Sequence, residues 1–378
     1  MAVPVIKGRK SEGERFPGGR YTTTVEAYIP TALRAIQGAT SHSLGQNFAK
    51  MFDIKFEDPD WKKNAKDGEK SEKFKMPWQN SWGLTTRSLG VMIMVHGDDL
   101  GLVLPPRIAP IQVVVLYIEK SSMKADEIEA MRNKAKEIVE TLKKSGIRTK
   151  LDDRSNYTGG FKMSFWELKG VRDFFFCVQS ISIESQEKIN LSSNITKSYL
   201  AFQNKQVPMI LTLGGREMQS KQVECSLRVD SGDKSKRKNK AKLSWDELTV
   251  KVPEILENVQ ARMLSKARKE RDEHISVAMN MTEFKRELNK GNMILAPWCE
   301  LKSTEDLVKE MTRDCGTDTE KKDDKKSKTS AEDKAKMLSG SAKPLCLPFN
   351  QPPMFPGTKC FTGNGELARS WCLWGRSY

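Results

Sequence analysis

The run Ile111-Gln112-Val113-Val114-Val115-Leu116-Tyr117-Ile118 is almost wholly apolar and rich in β-branched residues. Such a run predicts a strand buried on both faces, as in a parallel sheet. A helical period follows it. Ile128, Met131, Ala135, Ile138, Val139 and Leu142 fall on one face, Lys143-Lys144 suit the negative end of the helix dipole, and Gly146 marks the stop. Ile147-Arg148-Thr149-Lys150-Leu151 then reads as the next strand. Strand, helix, strand in that order is a βαβ unit, so the middle of the chain predicts an α/β domain.

Pro208-Met209-Ile210-Leu211-Thr212-Leu213 predicts a further strand ending at Gly214-Gly215, and Met293-Ile294-Leu295-Ala296-Pro297-Trp298 another. Between them, Ser244-Trp245-Asp246-Glu247 has the spacing of a capping box. It predicts a long helix with Ile255, Leu256, Val259, Met263 and Leu264 on one face, kinked early by Pro253. Two stretches carry no period. Residues 172–206 open on Phe174-Phe175-Phe176-Cys177 and turn rich in Ser and Asn; residues 316–343 are Lys, Asp, Ser and Thr with almost nothing apolar, which predicts a disordered insertion. The basic run 234–242 reads as a solvated loop, with nucleic-acid contact as the alternative.

A 378-residue chain is long enough for two or three domains. With 38% hydrophobic residues beside 30% charged ones, it is neither wholly disordered nor a membrane protein, since no apolar run reaches the ~18 residues of a span. The start of the chain has neither a signal-peptide core nor transit-peptide composition, so a cytoplasmic location is expected. A formal charge of +15 favours a polyanionic partner. Seven scattered cysteines are too sparse for a secreted disulfide framework and point to reduced thiols or the remnant of a metal site.

No Walker loop, HExxH or G-x-S-x-G motif is present, and three histidines leave little room for histidine-based nucleophilic catalysis. The densest polar and Gly-rich segments are Arg34 to Phe48 and Gln79 to Gly90. In the second, Gly83 permits close approach of a flat ligand. Thr85 can cap a helix bearing Leu89, Met92, Ile93 and His96 on one face. Arg87 then falls in the first turn, where the helix dipole favours an anion and a guanidinium fork suits phosphate. The alternative is a surface arginine on an amphipathic helix.

These segments resemble the second half of the catalytic domain of class II prolyl-tRNA synthetases of the archaeal and eukaryotic-cytosolic type. Gly83-Leu84-Thr85-Thr86-Arg87 resembles class II motif 3. Thr22-Thr23-Thr24-Val25-Glu26-Ala27 and Ile36-Gln37-Gly38-Ala39-Thr40-Ser41-His42 resemble the proline and ATP pocket. His96-Gly97-Asp98-Asp99 and Gly101 to Arg107 are similar to the exit into the anticodon domain. Asp152-Asp153-Arg154, Gly160-Phe161-Lys162 and Trp166 to Val171 continue the likeness there, and the ending Gly375-Arg376-Ser377-Tyr378 completes it.

The resemblance implies an α+β and α/β chain in three parts. Residues 1–107 would be the C-terminal part of an antiparallel-sheet class II catalytic domain. Residues 108–243 would be an α/β anticodon-binding domain with an atypical insertion at 172–206. Residues 244–378 would be a linking helix and a small α/β C-terminal domain with a polar insertion at 316–343. It implies that Arg87 holds the triphosphate of ATP, Thr85 the adenosine end, and Gln37 both ATP and its Mg²⁺, with Thr40 beside the nucleotide. His42 would line the L-proline pocket; a lone histidine is otherwise a structural residue. The implied activity is proline–tRNA ligation. The proline carboxylate attacks the α-phosphate, and the prolyl group passes to the terminal ribose of tRNA(Pro). Positioning and fixed charge carry such a transfer.

Several departures qualify these expectations. The start of the chain aligns after motifs 1 and 2, so the chain alone is expected not to activate proline, and the homodimer formed through motif 1 is expected of the full-length family rather than of this chain. Leu33 stands where the family has Gly, and Ser43 follows His42 where the family has a second His. Residues 172–206 separate Val171 from Val207, which adjoin in relatives, as a retained intron or a gene-prediction error would. Thr212, Gly215 and Glu217 replace the Glu, Pro and Asp of an anticodon-domain strand. Some relatives hold zinc with four cysteines; here Cys299 and Cys360 remain while Thr304 and Thr362 take the partner positions, so no zinc is expected. Two alternatives stay open: a non-catalytic relative that binds tRNA or a partner, and another class II synthetase of the threonyl or glycyl type.

Overall fold

The computed structural model describes residues 1–60, 73–98, 102–120, 122–163, 165–166, 207–227, 239–313 and 340–378. The stretch 172–206, most of the insertion 316–343, and residues 234–238 of the basic run lie outside them.

In chain order the strands are β1 (Ile6–Arg9), β2 (Tyr21–Ile29), β3 (Arg34–Gly45), β4 (Phe56–Glu57), β5 (Phe74–Lys75), β6 (Gln79–Leu84), β7 (Val113–Tyr117), β8 (Thr149–Asp152), β9 (Met209–Leu213), β10 (Gln222–Leu227), β11 (Asn239–Ser244), β12 (Ile275–Val277), β13 (Met293–Trp298), β14 (Lys343–Pro348) and β15 (Ser370–Gly375). The helices are α1 (Asn47–Met51), α2 (Arg87–His96), α3 (Ala125–Lys144), α4 (Gly215–Ser220), α5 (Leu248–Glu273), α6 (Met281–Asn289) and α7 (Lys302–Met311). They form two compact units. One comprises Met1–Val3 with Met92–Ala267, the other Pro4–Val91 with Arg268–Tyr378.

The first unit is built on a five-stranded sheet in the order β11-β10-β9-β7-β8. β7 lies parallel to both β8 and β9, while β10 and β11 add an antiparallel edge. Every residue of β7 is buried, because both faces are covered. Val113, Val115 and Tyr117 pack with Met131, Ala135 and Leu142 of α3 and with Leu248 and Val252 of α5. Val114 and Leu116 face Trp166, Val207 and Ile210 on the other side. An unbroken apolar strand and a one-faced helix are what this two-sided burial demands.

Three local expectations change here. Ser244 precedes a 3₁₀ turn at Trp245–Glu247 and its side chain makes no capping hydrogen bond. The turn is held instead by Trp245, whose backbone N–H donates to the Lys221 carbonyl (3.2 Å) and whose indole N–H donates to that of Gln222 (3.0 Å). The helix proper runs unbroken from Leu248 through Pro253. The end of the basic run is strand rather than loop, since β10 offers β11 an edge and Leu243 is buried by that pairing.

The second unit holds an eight-stranded sheet in the order β12-β13-β15-β14-β1-β2-β3-β6. All neighbours are antiparallel except β12 and β13. β14 pairs with β1, so strands from the end of the chain continue the sheet begun near its start. Tyr28, Ala35, Met293, Leu345, Cys346 and Leu373 form one core along that seam, and Phe284, Trp298, Phe361 and Trp374 form another beyond it. Leu33 sits at φ +51°, in the left-handed region that glycine enters without the Cβ penalty of ~1–2 kcal/mol. Gly291 faces it: a Cβ there would come within 2.7 Å of the Leu33 Cβ. α6 has the side-chain N-cap that Ser244 does not provide: Asn280 Oδ1 accepts from Glu283 N–H (2.9 Å), and the Glu283 carboxylate accepts from Met279 N–H (2.9 Å).

Candidate functional site

Polar residues alternate along β2, and the alternation sends Thr22, Thr24 and Glu26 to one face of the sheet, all buried. In register beside them on β3 stand His42, Thr40 and Gln37. Ser81 and Gly83 of β6 follow beyond His42 and Thr40. Gln37 belongs to this face only because of a bulge. Val25 pairs with Ala39 and Glu26 with Gln37, which leaves Gly38 as the extra residue. Were Gly38 paired as an ordinary strand residue, with no bulge, Gln37 would point to the opposite face. Ser43, next in sequence to His42, is on that opposite face, so its replacement of a histidine does not touch this surface.

A chain of hydrogen bonds fixes the floor. Lys10 Nζ pairs with Glu26 Oε1 (2.8 Å) and also donates to the Leu345 carbonyl (2.7 Å). Glu26 Oε1 accepts from the Thr24 hydroxyl (2.7 Å), and Thr24 Oγ1 accepts from Gln37 Nε2 (3.2 Å). The amide nitrogen of Gln37 is thus engaged below, which orients the side chain and leaves its carbonyl oxygen as the group that can meet a ligand. Lys10 and Glu26 carry no local motif as a pair; only the alternation Thr22, Thr24, Glu26 signals a polar face in the sequence.

His42 Nδ1 lies 2.9 Å from Thr22 Oγ1, which already accepts from Phe16 N–H (3.1 Å). Donation of the hydroxyl proton to Nδ1 leaves Nε2–H as the imidazole's outward donor. The Phe16 ring packs on the imidazole with centroids 4.7 Å apart. Burial under these neighbours lowers the His42 pKa from the ordinary 6.5, which favours the neutral ring. Phe16 has no signal in the sequence pattern as part of the site.

Motif 3 is tied to this floor by pairing. Thr40 stands opposite Gly83 and Ala39 opposite Leu84. A Cβ on Gly83 would lie 3.1 Å from Thr40 Oγ1, so glycine keeps the surface open there. Thr85 directly follows β6, its carbonyl accepting from Ser88 N–H (3.1 Å), and Arg87 is the first residue of α2. The buried Ser88 hydroxyl donates to the carbonyl of the bulge residue Gly38 (3.1 Å), which pins the start of the helix to β3. Thr85 and Arg87 are both exposed. Among the described residues Arg87 forms no ion pair. The fold therefore gathers Gln37, Thr40, His42, Thr85 and Arg87 on two neighbouring strands and the helix that follows them.

The α/β unit carries a second surface. Arg154 grips the buried Asp152 through two nitrogens, Nε to Oδ1 (2.8 Å) and Nη2 to Oδ2 (2.7 Å), and the Trp166 indole N–H donates to the same carboxylate (2.7 Å). Burial alone would raise the Asp152 pKa, but these bonds hold it below the usual 3.8. The anchored guanidinium lies 3.8 Å from the Phe165 ring centroid and 5.1 Å from that of Tyr157. Tyr157 stacks on Phe161 at 4.5 Å, and both are exposed. The result is a fixed aromatic and cationic ledge of the kind on which unpaired bases stack.

Cys299 and Cys360 are adjacent and buried. Their neighbours Thr304 and Thr362 offer hydroxyls rather than thiolates. Among the described residues no cluster of three or more His, Cys, Asp or Glu has the arrangement of a metal site, and no helix is long and apolar enough to cross a membrane.

Residues 112–177 match the family described as anticodon binding domain, and residues 281–378 the one described as prolyl-tRNA synthetase, C-terminal. By these descriptions parts of the chain are similar to prolyl-tRNA synthetases. Over its full length it is 38% identical to the cytoplasmic proline–tRNA ligase of Arabidopsis thaliana, covering 56% of that protein. It is 37% identical to the proline–tRNA ligase of Encephalitozoon cuniculi, covering 62% of it, and 37% identical to the bifunctional glutamate/proline–tRNA ligase of Mus musculus, covering 21%. The chain spans about half the length of the first two relatives.

The Asp152 anchor gives a stability prediction. Replacing it by Asn turns an acceptor-only carboxylate into a group whose NH₂ opposes the Arg154 or Trp166 donor, at a cost of ~2–4 kcal/mol in urea unfolding. Because the folded pKa is depressed, this stabilisation is present above the ordinary 3.8 and is lost as pH falls through the lower folded value. The gap between wild type and Asp152→Asn should therefore close in unfolding curves taken at successively lower pH below about 4.

Proposed function

We propose that this chain supplies the motif 3 side of the active site and the tRNA-binding region of a cytoplasmic proline–tRNA ligase. The observation that carries this reading is the β3–β6 register, which sets Arg87 at a helix start beside the face bearing Gln37, Thr40 and His42. Arg87 would hold the triphosphate of ATP with its exposed guanidinium fork. Thr85 would meet the adenosine end, and Thr40 would lie beside the nucleotide over the opening kept by Gly83. His42, neutral and backed by Phe16, would line the L-proline pocket.

The residues fit Mg²⁺ as an ion carried by the nucleotide rather than held by the protein alone. Gln37 Oε1 is a hard oxygen, left available because Nε2 bonds to Thr24. When bound there, Mg²⁺ would offset phosphate charge. The reaction is attack of the proline carboxylate on the α-phosphorus with loss of pyrophosphate. The ribose hydroxyl of tRNA(Pro) then attacks the prolyl carbonyl and AMP leaves. The chain's own residues hold and orient the reactants, which is where such a reaction gains most of its rate. The ledge of Arg154, Tyr157 and Phe161 would receive anticodon bases.

Nucleotide binding by equilibrium dialysis should weaken about tenfold in Arg87→Ala, and an unchanged affinity would remove Arg87 from the site. Replacing Tyr157 and Phe161 together by Ala should weaken tRNA(Pro) binding in a filter assay by about tenfold or more, with unaltered binding overturning the role of the ledge.

A further inference from the structure

Phe16 reaches His42 from the loop between β1 and β2, residues 10–20. Gly13, Gly18 and Gly19 lie in this loop and much of it is exposed, so chain entropy opposes any single path for it. Its second arm is held within the hairpin. Gly19 N–H donates to the Phe16 carbonyl (3.0 Å), and Phe16 N–H donates to Thr22 Oγ1 (3.1 Å).

The first arm is held by α7, which belongs to the same unit. Ser11 is buried, and its hydroxyl donates to Glu305 Oε2 (3.2 Å) while accepting from Glu14 N–H (3.3 Å). Glu305 Oε1 pairs with Lys309 Nζ (2.7 Å), one helical turn on, and the same ammonium reaches Glu14 Oε1 (3.3 Å). A Cβ on Gly13 would come within 2.7 Å of Glu305 Oε2, so the carboxylate meets bare backbone there. Glu305 is only 2% exposed. A carboxylate so buried needs partners, and here the loop and the helix supply them together.

α7 is a firm support for this contact. Thr304 Oγ1 accepts the Trp298 indole N–H from β13 (2.7 Å) and donates to the Leu301 carbonyl (2.7 Å), and Val308 is fully buried. Residues 304 and 308 thus face the core, while 305 and 309, one position further round the helix, meet the loop.

We infer that Glu305 is a positioning residue for the candidate site, on the reading above that His42 lines the L-proline pocket. Through Ser11, and through Lys309 and Glu14, it holds the loop so that Phe16 stays on the His42 ring. The carboxylate acts at one remove, across 294 positions of chain. A ligand that needs Phe16 in place binds in proportion to the fraction of molecules that hold it there.

Three histidines make the test direct, because each gives its own imidazole C2–H resonance in the full 378-residue chain. Phe16→Ala sets the scale: it removes the ring current from His42 and lets the titration midpoint rise toward the ordinary 6.5. Glu305→Ala and Ser11→Ala should each move the His42 resonance and midpoint in that same direction. His274, stacked on Tyr28 at 4.9 Å, should stay where it is. Added to Phe16→Ala, Glu305→Ala should have no further effect on His42, as expected of residues that act through one another. L-proline affinity read from His42 should fall about threefold in Glu305→Ala, as it would with Phe16 in place in a third of the molecules. A His42 signal that Phe16→Ala shifts, but that both Glu305→Ala and Ser11→Ala leave alone, would overturn the inference. Joint movement of His42 and His274 would also overturn it. Should L-proline leave the wild-type His42 signal unmoved, the pocket reading fails, while the ring shift still decides whether Glu305 holds the loop. Ser11→Ala keeps the Glu305–Lys309 pair, so the test stands even if Glu305→Ala misfolds.

Discussion

The register of β3 between β2 and β6 is the constraint on which the candidate site depends. A strand shows its side chains alternately to two faces, so a slip of one residue would exchange the polar set Gln37, Thr40 and His42 for Gly38, Ala39 and Ser41. Gly38 is what reconciles the two halves of the strand. As the bulge residue it brings Gln37 into phase with Thr40, and its carbonyl receives the Ser88 hydroxyl that fixes the start of α2. One backbone irregularity therefore sets both the orientation of a ligand-facing amide and the position of the exposed arginine. Glycine suits a bulge because no Cβ has to be housed there, although one here would still come within 3.4 Å of Val25 Cγ2.

Much of this was legible because it is local. The apolar run of β7 and the one-faced pattern of α3 lead to the observed elements, since burial on both faces or on one leaves that signature in the sequence. The polar alternation of β2 likewise shows on which strand the floor is built. What stayed hidden is long-range. Lys10 meets the Leu345 carbonyl across 335 positions of chain, and β1 meets β14 at the seam of the large sheet. No local periodicity encodes such pairings. Capping shows the same limit in miniature. Ser-Trp-Asp-Glu and Asn-Met-Thr-Glu have equal claim to a side-chain N-cap by spacing, and of these two only the second forms one. The first yields because Trp245 is drawn to the strand end at Gln222 by a partner that spacing cannot show.

The two candidate surfaces are built on different physics. The sheet floor is a surface of neutral hydroxyl, amide and imidazole groups, with the ion pair of Lys10 and Glu26 buried beneath it. Its polarity is oriented rather than charged, and Arg87 is the exposed cation at the helix start. On the ledge of the α/β unit the guanidinium lies within the candidate surface, pinned by Asp152 so that its face stays against Phe165 and Tyr157. Holding a long side chain in place before binding removes an entropy cost that a free arginine would meet on docking a base. A fixed cation among aromatic rings favours stacking of bases whatever their identity, whereas the floor, with donors and acceptors at set positions, favours ligands of a particular shape.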